Sequence, residues 1–189
     1  DWYDELNTML AERFGTLLSA GEVGEDDYAA ESVVDASEVI NTLECGGITS
    51  LGYSYDELDP EDVNPGIISK LVGDNEVDEG ENVSRLKGLG QKSLSGRLTL
   101  KANIESTERA LVIFSGPPKY LSRKGIEEGR AVIERRTNCM EVRGGDYPRP
   151  NYGKVTVTVV LSGLHDISRI RELQKIAVEA DKKIQNVRE

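Results

Sequence analysis

The sequence predicts an α/β fold: a two-layer α+β sandwich, with a mixed sheet of about four strands, packed helices and one long helix ahead of them. Three observations predict it. Apolar residues recur at three- and four-residue steps over about five turns at the start, through Trp2, Leu6, Met9, Leu10, Phe14, Leu17 and Leu18. Short apolar or alternating runs at 48–55, 110–114, 139–142 and 155–161 read as strands. Helical spacing returns between and after them, through Ile126, Val132 and Ile133 and again through Ile170, Leu173, Ile176, Ala177, Ala180 and Ile184.

Taken in order, the first helix stops at Ala20-Gly21, where glycine can adopt the left-handed closing conformation. A polar, acidic loop covers 22–32. A short helix then follows Asp35 to about Glu44 and ends at Gly46-Gly47. The first strand, 48–55, alternates small residues with Ile, Leu and Tyr. An irregular acidic stretch follows from Asp56 to about Ser84, with Pro60, Pro65 and a short helix through Ile67, Ile68 and Leu71. Its part from Asp56 to Gly80 is expected to be mobile and outside the core. A weak helix covers 85–94, weakened by Gly88 and Gly90. The 110–114 strand stops at Gly116-Pro117-Pro118, and Ser122 caps the next helix. The 139–142 strand leads into a polar turn over 144–153, and the 155–161 strand is apolar enough to lie centrally. Ser168 caps the last helix.

Composition narrows the function classes. The net charge is −11, from 34 acidic and 23 basic residues. Such a surface repels phosphate backbones and anionic headgroups, which argues against nucleic acid and membranes as partners. Aromatics make up 5% of the chain, so the core must rest on Val, Ile and Leu. Cys45 and Cys139 fit neither a disulfide framework nor a zinc pattern and read as buried small hydrophobes in a reducing cytosol. No apolar run approaches the roughly 18 residues of a membrane span, so a cytoplasmic protein is expected. The chain starts at Asp1, in the middle of an amphipathic pattern, and is expected to be a piece of something longer.

Phosphate-cradling glycine motifs are missing: Gly88-Leu89-Gly90 lacks the third glycine at the right step and follows no predicted strand. The run from Asp74 to Gly80 looks like a calcium loop, but its glycine falls one place late and Arg85 stands where the closing Glu belongs. No metal site is expected. His165 has no nucleophile placed near it and reads as a polar turn residue.

Two carboxylates remain. Asp35 and Glu38 stand three apart at the start of the second helix. That spacing makes a capping box, in which Asp35 caps the helix and Glu38 reaches back. In context it also resembles something else. A long helix, an acidic loop and then Asp-x-x-Glu resemble the central helix and synergy loop of the tubulin/FtsZ superfamily. The segments at 48–55, 110–116 and 154–163 resemble the strands that follow, in the same order. "FSGPPKYLSRKGIE", "EVRGGDYPRP" and "RIRELQKIAVEA" are most similar to the archaeal CetZ branch.

That resemblance implies a division of the chain. Residues 1–21 would be the central helix, linking to a missing N-terminal GTP-binding domain. Residues 22–189 would be the C-terminal domain, with its acidic loop at 56–84 and a terminal helix at 168–186. It implies a cytoskeletal GTPase that polymerises head to tail, in which Asp35 and Glu38 position or polarise water at the neighbouring subunit's GTP. A role in cell shape control or cell division follows. The superfamily often has Asn two residues before the first carboxylate; here that place is Val33. Tyr3 and Asn7, one helical turn apart, match the residues that stack on guanine and bond its edge. The cofactors implied are GTP or GDP with Mg2+ in the full-length protein, and none for this chain by itself. The partners implied are further copies of the same protein. Read without the resemblance, the chain could be a stand-alone small α/β binding module or a chorismate-mutase-like enzyme. The enzyme reading needs convergent arginines that the sequence does not assemble.

Overall fold

The computed structural model describes residues 2–19, 34–60, 77–96 and 98–188. Among the described residues, besides two short 3-10 turns, the α-helices and strands are α1 (Trp2–Ser19), α2 (Ala36–Leu43), β1 (Ile48–Glu57), α3 (Glu79–Ser95), β2 (Arg109–Gly116), α4 (Arg123–Thr137), β3 (Glu141–Pro148), β4 (Lys154–Leu164) and α5 (Ser168–Arg188). The strands form one mixed sheet in the order β1-β4-β2-β3. β4 pairs antiparallel with β1 and β2, while β2 and β3 run parallel. A parallel pair needs a crossover, and α4 supplies it. The α/β fold with a mixed four-stranded sheet is therefore as the sequence predicts.

The central strands bury both faces. In β2, Ala110, Val112 and Phe114 join Leu86, Leu89, Ile133 and alternate residues of β4 in the larger core. Leu111 and Ile113 point the other way, onto Leu17, Val34, Leu51 and Val160. Period-two alternation thus becomes a continuous apolar run, because helices cover each side. α3 and α4 lie on one face, with α1 and α2 on the other.

Several local readings change. α3 is a 17-residue core helix beginning at Glu79, so the acidic stretch ends earlier than Ser84; Asp56 and Glu57 already belong to β1. Asp78 caps α3, its Oδ2 accepting from Glu81 N at 3.1 Å. Residues 61–76, including the helix read through Ile67, Ile68 and Leu71, lie outside the described residues. Of the two glycines that lower helix propensity in α3, Gly90 has a packing reason, while a Cβ on Gly88 would meet nothing within 4 Å. A Cβ on Gly90 would lie 3.1 Å from Gly129 O, and one on Gly129 would lie 2.7 Å from the Phe114 ring. Only glycine lets α3, α4 and the sheet come this close.

β3 extends to Pro148 and takes in the first half of the stretch read as a polar turn. It is an edge strand, half-exposed and polar on one side, so it lacks the apolar signature, and a terminal proline costs it no ladder bond. Cys139 is buried but Cys45 only partly so, with its thiol donating to Ser162 Oγ at 3.2 Å. Ser168 is the first residue of α5 rather than its cap; the first helical amides bond to Ile167 O. The apolar spacing of α5 does not mean core. Leu173, Ile176, Val178 and Ile184 are 49–58% exposed, and among the described side chains of α5 only Ile170 packs against the larger cluster.

Gly52 is the tightest point between β1 and α3. A Cβ there would stand 2.2 Å from Ser93 O, a backbone atom that cannot swing aside. Gly52→Ala should therefore destabilise the chain by about 1–3 kcal/mol, as overpacking does. An unchanged denaturation midpoint would show that α3 is free to shift.

Candidate functional site

Asp35 is held where α2 meets the body of the domain. Val34, 1% exposed, is sunk in the smaller core beside Leu17, which fixes the chain just before the helix. Asp35 then takes an extended conformation (φ −94°, ψ 166°) and its Oδ1 accepts from Glu38 N at 2.8 Å and from Ser37 Oγ. The Ser37 hydroxyl and the Glu38 amide hold its carboxyl below the usual carboxylate range, with a smaller contribution from the Arg143 charge. The group is therefore ionised at neutral pH while remaining at the surface.

The capping box is met by one half. Asp35 caps the helix, but Glu38 turns its carboxylate to Arg143, with Oε1 3.9 Å from Nη1. The two carboxylates share the N-terminal tip of α2, and further along the same helix Ile40 and Leu43 are exposed.

Tyr3 and Asn7 lie at the far end of α1. Both are exposed, and the Tyr3 ring meets Trp2 edge-on at 5.1 Å. Leu17, near the other end of α1, shares a core with Val34, the residue before Asp35. At 1.5 Å per residue, the stretch from Tyr3 to Leu17 spans roughly 20 Å. The structure brings Asp35 and Glu38 together, and Tyr3 and Asn7 together, but keeps the two pairs apart.

α1 leans on the sheet through its C-terminal half and leaves a cleft on either side of its N-terminal half. One, of about 750 Å³, is lined by Glu12, Arg13, Tyr53, Lys92 and Lys154. The other, of about 930 Å³, is lined by Trp2, Leu6, Leu94 and Leu98. Sequence reading missed Arg143, Glu141 and Arg109, whose charges meet beside α2. The first two stand in "EVRGGDYPRP", most of which has the residue pattern of a turn.

The model of the tubulin-like CetZ C-terminal domain matches residues 1–179 of the chain. The chain belongs to the tubulin-like CetZ family. Tubulin-like protein CetZ1 of Haloferax volcanii is 46% identical over 192 residues, taking in 99% of this chain and 49% of that protein. Among solved structures, the GDP-bound monomer of CetZ1 from Haloferax volcanii superposes with a TM-score of 0.73 at 40% identity, over 95% of this chain and 44% of its own. The GTPγS-bound protofilament of CetZ2 from the same organism also gives a TM-score of 0.73, at 32% identity, over 97% and 46%. The chain spans about half the length of these CetZ relatives. No helix among its described residues is long and apolar enough to cross a membrane.

Proposed function

We propose that this chain is the C-terminal half of a CetZ-type GTPase that polymerises head to tail, and that Asp35 and Glu38 act on the GTP of the neighbouring subunit. The observation that carries the reading is the separation of the two candidate sites. Tyr3 and Asn7 stand about 20 Å along α1 from the end that lies beside Asp35. Pairs set so far apart on one subunit suit a nucleotide shared between neighbours, and head-to-tail stacking would bring one pair of each to the same interface. The CetZ2 relative in a GTPγS-bound protofilament supports the polymer.

The residues fit the nucleotide. An exposed ring and an exposed amide one turn apart on one helix face suit stacking on a base and bonding its edge. GTP with Mg2+ supplies the bond to be hydrolysed. The chain's own part is to present ionised carboxylates that orient water and take its proton. In the cell this reading makes a cytoplasmic filament that serves cell shape or cell division.

By itself the chain offers no glycine-rich phosphate cradle in its sequence. Isothermal titration of this chain with GTP and Mg2+ should accordingly be flat. A micromolar dissociation constant would contradict the assignment of nucleotide binding to an N-terminal half.

A further inference from the structure

The α2 tip is braced from the sheet edge. Glu141, at the start of β3, accepts on Oε1 from Arg143 Nε at 2.9 Å, and Arg143 Nη2 lies 2.8 Å from the same oxygen. Its Oε2 lies 3.3 Å from Arg109 Nε, and Arg109 stands opposite Glu141 in the parallel β2–β3 register. Arg109 Nη1 in turn donates to the carbonyl oxygen of Asn41 in α2. The remaining nitrogen of Arg143, Nη1, faces Glu38 at 3.9 Å. Two arginines joined through one glutamate therefore hold both turns of an eight-residue helix. All of these side chains are partly exposed, and such pairs contribute little to stability. What the arrangement sets is direction. A guanidinium can bond one carboxylate along one edge and point a third nitrogen at another, which a lysine ammonium cannot do.

We propose that Arg143 is the positioning residue for Glu38, aiming its carboxylate and the α2 tip at the neighbouring subunit's nucleotide, with Glu141 and Arg109 as the brace. This rests on the function proposed above for Asp35 and Glu38. A flexible glutamate without the brace samples orientations in which its oxygens miss the attacking water, and displacements of about 1 Å are enough to slow an oriented reaction.

The test uses the full-length protein and compares Arg143→Gln, Arg143→Lys, Glu141→Gln, Glu38→Gln and the Arg143→Gln/Glu38→Gln double variant. GTP turnover per polymerised subunit at saturating nucleotide, the critical concentration and the melting temperature are measured together. Arg143→Gln should slow turnover on the order of ten-fold, with melting temperature and critical concentration unchanged. Arg143→Lys should recover little of that loss, and Glu141→Gln, which keeps the cation but loosens it, should slow turnover several-fold. The double variant should be no slower than Glu38→Gln, since Arg143 acts through Glu38. Slow Glu38→Gln with Arg143→Gln at the wild-type rate would overturn the positioning role alone, as would losses that multiply in the double variant. Glu38→Gln at the wild-type rate would overturn the site reading, and this inference with it.

Discussion

Asp35→Ala and Glu38→Ala, each in the full-length protein, are expected to lower GTP turnover per polymerised subunit by about two orders of magnitude or more. Nucleotide binding should be nearly intact, because the carboxylates touch the neighbour's GTP and not their own. Polymers should persist longer, since hydrolysis is what destabilises the stack. The competing account is purely structural. Asp35 accepts the Glu38 amide at 2.8 Å, so its loss also weakens the start of α2. Asp35→Ser separates the two, because serine caps a helix but carries no charge. Unchanged melting with lost turnover is the expected result. Lower melting in Asp35→Ala with turnover intact would return Asp35 to a capping role, and turnover intact in Glu38→Ala would leave Glu38 as a partner of Arg143 alone.

Phe114→Ala should cost about 3–5 kcal/mol, the usual range for emptying a buried aromatic site. The ring is fully buried in the larger core, and it lies against the backbone of Gly129 so closely that no Cβ fits between them. The site has little room to collapse, because β2 is fixed by β3 and β4 on either side. Against a total stability of about 5–15 kcal/mol, that loss would leave the chain marginal. Met140→Ala, at a residue 99% exposed, should stay within about 0.5 kcal/mol. Urea denaturation of both variants makes the comparison. A small loss for Phe114→Ala would mean that α4 closes over the cavity.

The parts legible in the sequence are those whose signal is local. β2 carries a continuous apolar run because both faces are covered, β4 shows its Val alternation with buried threonines, and Asp35 and Ser122 cap helices as their residue types suggest. The parts that were not legible depend on neighbours. Gly88 and Gly90 lower the propensity of α3, yet Gly90 stands where α3 meets Gly129 of α4, a contact that no local pattern encodes. β3 is legible at its start, but its length to Pro148 hides because an edge strand has one partner and keeps its polar residues. Periodicity in α5 predicts a face but not what covers it, and Leu173, Ile176, Val178 and Ile184 remain exposed. At the candidate site, the Asp35–Glu38 spacing is visible from residue types. Arg143 is not, because sheet pairing, and not sequence proximity, brings it to Glu38.

The claim that these carboxylates work across the subunit boundary can be measured directly. Full-length Asp35→Ala/Glu38→Ala protein is preloaded with radiolabelled GTP and assembled with wild-type protein in excess unlabelled GTP, which suppresses transfer of the label. Single-turnover release of labelled phosphate is then followed against the fraction of wild-type subunits. The account predicts that the double variant's own GTP is hydrolysed in proportion to the probability of a wild-type neighbour. Labelled GTP that survives at every wild-type fraction would contradict it, and would make Asp35 and Glu38 residues of their own subunit alone.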